Sequence, residues 1–470
     1  MDAALPPGPG WPSVLQTMAA FQLPRFMAYC QRRYGDRFTV RMGSMGTFVY
    51  LADPDDIRAV FRAGGAVFHA GEANAPFLAR VLGPSSVLCT DEEVHARQRR
   101  HLSGPFHGAS IAGLAPLMVE VAAEEVRSWP VGRAFAVLPH MRRVTLDVIL
   151  RTVIGVSAEE TERVTELRRT LAALVDIDLL NMAPFLFPAL TKVWPWSRYE
   201  AVQERADRLV RAEIERCRDD PDLEERPDVL AMLVRQSATS GMTSGEMRDQ
   251  LLTLLLAGHE TTASGLAWTF ERLVRHPEAL ERAQQAAREA DTEYLDALVT
   301  ESLRVRPVVP DITRRLVADV TLREGDRALR LPAGINVDPA IYLVMRSPRS
   351  YPDPLAFRPE RYVGKRPDPA VWLPFGGGDR RCLGAAFALT EMRVVLATVL
   401  TRVELATTTA KGERARVRTV TLVPHRGARV TVRRRLAAPT SPPAAAWSTP
   451  STAVPRAPGV ADGATSSHRT

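Results

Sequence analysis

The amino-acid sequence predicts a mainly α-helical protein with a smaller β region. Apolar residues recur with helical spacing from about residue 91 to residue 285, and Pro and Gly interrupt the pattern at the connections. Segments with strand-like alternation lie on both sides of this stretch. With 470 residues, 46% hydrophobic and 24% charged, the chain is long enough for one large core or two domains.

The β region is expected in two parts of the chain. Near the N-terminus, residues 37–42 and 47–51 flank Gly-Ser-Met-Gly, which is the pattern of a β-hairpin. In the C-terminal third, strands are expected at 314–322, 327–331, 416–422 and 428–433. The helical body should therefore be flanked by small sheets.

The longest predicted helix follows a capping-box pattern at residues 243–246 and runs until Pro277. At 1.5 Å per residue it would be about 50 Å long and cross the whole molecule. Its centre, AGHETT at residues 257–262, combines small and polar side chains. Small residues leave room for a large group, and a Thr hydroxyl can bond the carbonyl one turn back and open the helix to water. A packing notch with a solvated polar face is the alternative.

The most specific pattern is the Gly-rich run FGGGDRRCLG at residues 375–384. Cys382 is not expected to bind zinc, because zinc needs several Cys or His ligands at short spacings and the other three cysteines are far away in sequence. A single thiolate points instead to haem iron. The glycines would let backbone amides point at the sulfur, Arg380 and Arg381 would favour the thiolate, and Phe375 would exclude water. Taken alone, a buried Cys beside a glycine turn remains the alternative.

The spacing F-x-x-G-x-R-x-C-x-G resembles the haem-binding signature of the cytochrome P-450 family. Its fixed positions are occupied by Phe375, Gly378, Arg380, Cys382 and Gly384. The resemblance covers about residues 1–435. It implies the cytochrome P-450 fold, with haem b (iron protoporphyrin IX) between the long central helix and the helix after the cysteine loop, and with Cys382 as the metal ligand.

The centre of the long helix resembles the family's oxygen-activation motif, small-Gly-x-acid-Thr. Ala257, Gly258, Glu260 and Thr261 match it. The resemblance implies that Ala257 lies against the haem and that Thr261 and Glu260 are catalytic. Thr261 would hold the distal oxygen by a hydrogen bond and Glu260 would relay protons from water. His259 is expected to face away from the haem.

Residues that would bind the haem propionates are also implied by the resemblance. His95 and Arg99 lie one helical turn apart and match the propionate-binding helix of the family. Arg314 and Arg380 complete this set. At positions 345–346 the chain has Met-Arg where the family often has His-Arg, and it therefore departs from the pattern there.

A second set of residues resembles the Glu-Arg-Arg triad of the family. Its members would be Glu301, Arg304 and Arg361. The expected role is structural, because a charge-assisted network would hold the cysteine loop against the helices.

The resemblance implies a haem-dependent monooxygenase that inserts one atom of O2 into a hydrophobic small molecule such as a fatty acid, terpenoid or aromatic compound. Substrate-facing segments are expected at 70–88, 254–257 and 308–312, where Asp311 could instead meet a polar or cationic group. The apolar segment 177–190 could be a substrate lid, core or a membrane contact. A haem-thiolate peroxygenase or isomerase and a non-catalytic haem sensor are the alternatives.

Electrons would come from a separate ferredoxin or flavodoxin with its reductase, since no flavin domain follows the cysteine loop. Arg380, Arg381 and Arg393 near the thiolate would suit docking of an acidic partner. The net charge of +7 comes without a long basic block, so nucleic-acid binding is not expected.

The remaining expectations concern boundaries and location. Four irregularly spaced cysteines suggest a reducing compartment, with the cytoplasm as the default, and prolines interrupt the N-terminal apolar runs, so no transmembrane anchor is expected. A monomer is expected. Residues 1–436 are predicted to form the haem domain, and the Pro/Ala/Ser/Thr-rich residues 437–470 a disordered tail in which Trp447 is more naturally solvated than buried.

Overall fold

A computed structural model describes residues 5–20, 23–106, 108–157, 161–175, 197–437 and 447. Its α-helices account for most of the regular structure, as the sequence predicts. They are α1 Ser13–Ala20, α2 Leu23–Tyr34, α3 Pro54–Ala63, α4 Ala70–Leu82, α5 Glu92–Ser103, α6 Gly108–Gly113, α7 Ala115–Arg127, α8 Leu138–Val153, α9 Glu162–Val175, α10 Ser197–Arg218, α11 Val229–Ser240, α12 Ser244–Leu273, α13 Pro277–Glu289, α14 Thr292–Val305, α15 Ile341–Val344 and α16 Ala385–Leu400.

The strands are short and lie in small sheets. They are β1 Arg37–Arg41, β2 Thr47–Leu51, β3 Phe68–His69, β4 Ala134–Ala136, β5 Arg314–Leu316, β6 Val320–Leu322, β7 Leu329–Leu331, β8 Asn336–Pro339, β9 Val403–Leu405, β10 Ala415–Arg418, β11 Thr421–Pro424 and β12 Arg429–Arg435. The largest described sheet has the order β1-β2-β8-β5-β3.

The predicted N-terminal hairpin is confirmed. Strands β1 and β2 pair antiparallel, with Phe38 opposite Tyr50 and their rings stacked at 5.1 Å between centroids. Strand β8 then pairs parallel with β2, although almost 300 residues separate them in the chain. No local pattern signals this pairing, because a parallel neighbour is chosen by packing at long range.

The prediction of one continuous strand at 314–322 is wrong. The structure divides it into β5, which joins the large sheet, and β6, which pairs only with β7 in a separate hairpin. The single strand predicted at 416–422 is likewise divided, into β10 and β11, which pair antiparallel as a hairpin, whereas the strand predicted at 428–433 corresponds to β12. Sequence periodicity thus located the β region but did not divide it into sheets.

Helix α12 is the predicted long helix. Thr243 accepts a hydrogen bond from the Glu246 amide at 3.1 Å, and the Glu246 carboxylate accepts one from the Thr243 amide at 2.9 Å, so the capping box is present. Its 30 residues correspond to about 45 Å. The helix packs against α8, α14 and α16 and is therefore the axis of the main apolar core.

Trp447 is buried, although the solvated position was the preferred expectation for this residue. Its side chain is fully buried in the main apolar core, and its backbone carbonyl accepts a hydrogen bond of 2.9 Å from Arg393 of α16. Burying an indole removes a large apolar area from water, which offsets the entropy of ordering this residue. The predicted lid or membrane segment, 177–190, lies outside the described residues.

None of the described helices is, on its own, long and apolar enough to cross a membrane. One pair of helices, residues 92–106 and 110–127, is long and apolar enough only when both parts are taken together, and the pair is bent by 47°.

We expect Trp447→Ala to lower the free energy of unfolding by about 3 kcal/mol or more, because it would leave a cavity in the core. Trp447→Phe should cost much less, since most of the apolar contact remains. Chemical denaturation of the two variants measures the difference. Trp11→Ala is the control, because Trp11 is 42% exposed and its loss should cost under about 1 kcal/mol. Equal effects at the two tryptophans would contradict the buried position of Trp447.

Candidate functional site

A buried ion pair holds the segment that leads to the cysteine loop. Glu301 and Arg304 on α14 have no solvent exposure and contact each other at 2.7 Å. Arg304 also donates to the backbone carbonyls of Met345, Pro354 and Ala356 at 3.0, 2.7 and 3.0 Å. Because a buried charge must be satisfied, these contacts fix the path of the chain over residues 345–356.

The third member of the predicted triad is more loosely attached. Arg361 lies 3.5 Å from the Glu301 carboxylate and donates to the Asp353 carbonyl at 2.9 Å. The amide of Arg358 donates to the same carboxylate at 2.9 Å. The three predicted residues therefore do come together, with Glu301 at the centre.

The Gly-rich loop passes very close to helix α3. A Cβ atom at Gly377 would lie 2.4 Å from the Phe61 ring, and one at Gly378 would lie 2.9 Å from the Phe61 carbonyl oxygen. Gly378 also has a φ of +63°, which side chains rarely adopt. These glycines are thus required by contact with α3, which sequence reasoning did not foresee. The loop then closes by a 2.9 Å hydrogen bond from the Cys382 amide to the Phe375 carbonyl.

Phe375 connects the loop to the triad helix. Its ring lies 5.8 Å from that of Trp372, measured between centroids. The Trp372 indole in turn donates to the Thr300 carbonyl on α14 at 3.1 Å. The loop is therefore fixed from both α3 and α14.

Cys382 is exposed, yet the protein around its thiol is dense enough to raise the thiol pKa. Both observations fit a sulfur that lines a recess inside the protein. The Gly384 amide, Arg99 and Arg381 oppose the rise, but burial outweighs them and the net pKa shift is upward. A loop amide and Arg381 therefore do favour the thiolate, as expected, but burial has the larger effect on the thiol pKa. A coordinated metal deprotonates a thiol directly, so ligation does not require a low intrinsic pKa.

Four cationic or titratable side chains converge beside this recess, as predicted for propionate binding. Burial, followed by the charges of Arg380 and Arg99, lowers the pKa of His95 to about 4. Burial lowers the pKa of Arg314 to about 10, with Arg380 as the next cause. Arg380 donates to the Asp91 carboxylate and, at 3.3 Å, to the Val87 carbonyl.

This cluster has fewer anions than arginines. Within the described ranges, Asp91 pairs with Arg380 and Asp379 attracts both Arg99 and Arg380, while Arg99 and Arg314 form no ion pair. Desolvated arginines crowded together are unfavourable unless an anion joins them. A ligand that brings carboxylates to this cluster and a metal to Cys382 would satisfy both, and haem b has that combination. The residues present therefore fit the cofactor.

On α12, an accessible strip runs through an otherwise buried helix. Ala257 is exposed, and the Thr261 hydroxyl one turn later is accessible and donates to the Ala257 carbonyl at 2.7 Å. Gly258 instead faces α8, where a Cβ would lie 3.0 Å from the Ile149 side chain. Of the two small residues, Ala257 alone is exposed, whereas Gly258 permits close helix packing.

Glu260 is buried and faces away from this strip. Its Oε1 accepts a hydrogen bond of 2.5 Å from Arg142 of α8 and lies 3.7 Å from Arg418 of β10. Its Oε2 is buried and accepts no hydrogen bond from any described residue. His259 lies beside it, in contact with Thr145 at 3.1 Å, in line with the expectation that it faces away from the cleft.

The segment after α4 docks onto α12 one turn before the accessible strip. The hydroxyls of Ser86 and Thr253 are 2.7 Å apart, and Gln250 binds the backbone of Ser85 and Val87. Since Thr253, Ala257 and Thr261 are four residues apart in turn, they share one helix face. The C-terminal end of the expected substrate-facing segment 70–88 thus lies next to the accessible strip of α12.

The structure corrects the expectation for Arg393 and leaves that for Asp311 untested. Asp311 is half-buried and interacts with the buried Asp338 of β8, and burial raises the pKa of Asp311 to about 7. Its contact with a polar or cationic group of a substrate stays a prediction. Arg393 is 1% exposed and pairs with Asp296 at 3.0 Å, so it cannot dock a partner.

Several functional contacts had no local signal. Arg142 and Arg418 reach Glu260 from more than 100 residues away, and Phe61 reaches the loop from even farther. Asp91 stands before a predicted helix and resembles an ordinary cap. Only its tertiary contacts reveal another role.

We expect acid to destabilise the protein partly through His259. Burial, followed by Arg142 and Arg418, lowers its pKa to about 3 in the folded state. Between the ordinary His pKa of about 6.5 and 3, the unfolded chain binds a proton that the folded protein does not, so stability falls as pH falls. Between pH 7 and pH 5, the free energy of unfolding of the wild type should fall by about 2 kcal/mol more than that of His259→Asn, as measured by denaturant titration. His425→Asn, at an exposed position, is the control and should show the same pH dependence as the wild type. A pH dependence of His259→Asn equal to that of the wild type would contradict the assignment.

Comparison with known proteins agrees with the fold and the site. The sequence model of the family described as Cytochrome P450 matches residues 5–432. A Mycobacterium tuberculosis protein named as cytochrome P450 135B1 is 49% identical over 438 residues, covering 91% of each chain. Another from the same organism, named as cytochrome P450 138, is 38% identical over 435 residues, covering 92% of this chain and 97% of its own.

A solved structure of cyanobacterial CYP120A1 with retinoic acid bound has a similar fold. Its TM-score is 0.79 and its sequence identity 24%, with 93% of this chain and 100% of that chain covered. The match to the family over nearly the whole chain, together with the mycobacterial relatives, leads to one conclusion. The chain belongs to the cytochrome P450 family, whose members are haem b monooxygenases.

Proposed function

We propose that this protein uses O2 to oxidise a hydrophobic small molecule in the cleft between α12 and the cysteine loop, with electrons from a separate acidic protein. The accessible strip of Ala257 and Thr261 on an otherwise buried helix is the observation that carries this proposal. Such a strip offers one hydroxyl at an apolar surface, which suits oxygen chemistry beside a lipophilic substrate.

In the proposed site, Cys382 binds the haem iron, and His95, Arg99, Arg314 and Arg380 bind the haem carboxylates. The cofactor supplies O2 binding and redox chemistry, which a thiolate ligand favours by donating electron density. The protein fixes the loop through Phe375 and the turn that ends at Gly384. Ala257 would provide a small apolar surface against the cofactor.

Thr261 and Glu260 would control protons in the cleft. The Thr261 hydrogen is directed to the Ala257 carbonyl, so its oxygen can accept a hydrogen bond from a water in the cleft. Glu260 is held by Arg142 and Arg418, with Oε2 left for a further hydrogen bond. Rotation of this carboxylate would carry a proton between the two sides of α12.

A hydrophobic substrate is favoured by the residues that border the cleft. Besides Ala257, these include Leu254 on α12 and Ile312, whose side chain reaches the loop at Gly376. The cyanobacterial protein of similar fold was solved with retinoic acid, a long apolar molecule with one carboxylate. Fatty acids, terpenoids and aromatic compounds remain the proposed substrate class.

The proposed electron donor is an acidic ferredoxin or flavodoxin, with its reductase. Arg62 on α3 and Arg100 on α5 are exposed on helices next to the cysteine loop, whereas Arg380 is engaged by Asp91. Arg381 is partly accessible beside Cys382. This positive surface would steer an acidic partner towards the thiolate side. The free cysteines support a reducing, cytoplasmic location.

We expect dodecanoic acid, a monoterpene or a polycyclic aromatic compound to shift the Soret band of the haem-loaded protein from low spin to high spin. The reason is that an apolar cleft binds apolar ligands and excludes water. Sugars and amino acids serve as polar controls in the same absorbance titration. A shift with the polar compounds alone would contradict the proposed substrate class.

We expect Thr261→Ala to retain the haem but to lower product formed per NADPH by about tenfold or more, with the difference appearing as hydrogen peroxide. Loss of the hydroxyl removes the hydrogen-bonding group nearest the cleft. Turnover with a surrogate ferredoxin and reductase, using a ligand that shifts the Soret band, measures this ratio.

Two matched variants make the result specific. Thr262→Ala removes the adjacent, buried hydroxyl and should leave the coupling ratio unchanged. Cys382→Ala should abolish the thiolate position of the reduced carbon monoxide band, which Thr261→Ala keeps. Unchanged coupling in Thr261→Ala, or a thiolate band in Cys382→Ala, would refute the respective role.

A further inference from the structure

Asp91 stands at the N-terminus of α5 but does not cap that helix. Its side chain makes no capping hydrogen bond to α5. Instead, Oδ1 accepts a hydrogen bond of 2.9 Å from the Gly71 amide, and Oδ2 accepts one of 2.8 Å from the Glu72 amide. These amides belong to the first turn of α4, whose own preceding residue, His69, provides no side-chain cap. Asp91 therefore caps α4 from 20 residues away.

The same carboxylate also binds the cofactor side of the site. Arg380, two residues before Cys382, donates to Asp91 Oδ1. A single carboxylate thus joins the positive end of a helix to an arginine of the cationic cluster. The Asp91 side chain is only 13% exposed, so water weakens these contacts little.

The close approach of the two segments is built into the chain. A Cβ at Gly71 would lie 2.5 Å from the Thr90 carbonyl carbon and 2.7 Å from Asp91 Oδ2. Glycine is therefore needed for the α4 turn to reach the carboxylate. Of the other charged groups nearby, His69 lies 3.9 Å from Oδ2, and Glu92 faces His69 at 3.5 Å.

We propose that Asp91 is a positioning residue that couples the arginine cluster of the cofactor site to the substrate-facing helix α4. Arg380 holds the carboxylate, and the carboxylate holds the first turn of α4 over the cleft. Movement or neutralisation of either charge would release α4. The substrate part of this inference rests on the proposed function, whereas the link between Arg380 and α4 does not.

Asp228 provides a matched control elsewhere in the protein. It caps α11 through the Ala231 amide at 3.0 Å and pairs with Arg226 at 2.8 Å. It therefore makes the same two kinds of contact as Asp91, but outside the cationic cluster. Asp228→Asn should lower the stability of the protein by a comparable amount without affecting α4.

The test is hydrogen–deuterium exchange of the haem-loaded protein, followed peptide by peptide. In Asp91→Asn, amides at the start of α4 should exchange about fivefold faster, because one amide side chain cannot serve both backbone donors and Arg380. Asp228→Asn should speed amide exchange in α11 and leave exchange in α4 unchanged. Arg380→Gln should speed exchange in α4 when it is introduced into the wild type. When it is introduced into Asp91→Asn, it should cause little further change. Unchanged α4 exchange in Asp91→Asn, or fully additive effects, would overturn the coupling.

A second measurement separates positioning from general stability. Asp91→Asn should raise the dissociation constant for dodecanoic acid about fivefold in the Soret titration, with the carbon monoxide band kept at the thiolate position. Asp228→Asn should bind dodecanoic acid like the wild type. Equal weakening in both variants would refute the positioning role. If dodecanoic acid does not bind the wild type, the proposed substrate class fails, while the exchange experiment still decides the coupling.

Discussion

The buried ion pair of Glu301 and Arg304 is the interaction on which the site depends. Two charges without solvent exposure are tolerated only when their hydrogen-bonding groups are satisfied. Here three backbone carbonyls accept hydrogen bonds from Arg304, in addition to its ion pair with Glu301. That requirement fixes the chain that leads to the cysteine loop. Trp372 attaches the same loop to α14 by the Thr300 carbonyl. The position of Cys382 therefore depends on charge burial about 80 residues earlier in the chain.

A second constraint is the gathering of three arginines around fewer anions. Burial and mutual repulsion lower the pKa values of His95, Arg314 and Arg380, so assembling these groups opposes folding unless an anionic ligand joins them. The cofactor carboxylates fit this need, and binding would then contribute to stability. Asp91 partly neutralises the cluster and transmits its position to α4. In the proposed site, stability, cofactor binding and substrate access would therefore share one set of side chains.

Local patterns were sufficient where the chemistry is local. The capping box of α12, the β1-β2 hairpin and the cysteine loop all follow from contiguous residues and agree with the structure. The predictions that fail concern side chains whose surroundings come from distant segments. Arg393 was expected to dock a partner but is buried with Asp296, and Trp447 lies in the core.

The sequence by itself determined the cysteine loop, the helix with Glu260 and Thr261, and hence the family and its cofactor. Those signals are short because metal ligation and helix capping need a few residue types at fixed spacing. The tertiary structure alone decided that Gly258 serves helix packing while Ala257 is exposed, that burial leaves the Cys382 thiol with a raised pKa, and that Asp91 caps α4. Each of these depends on desolvation or contact between distant segments, and neither quantity exists until the chain has folded.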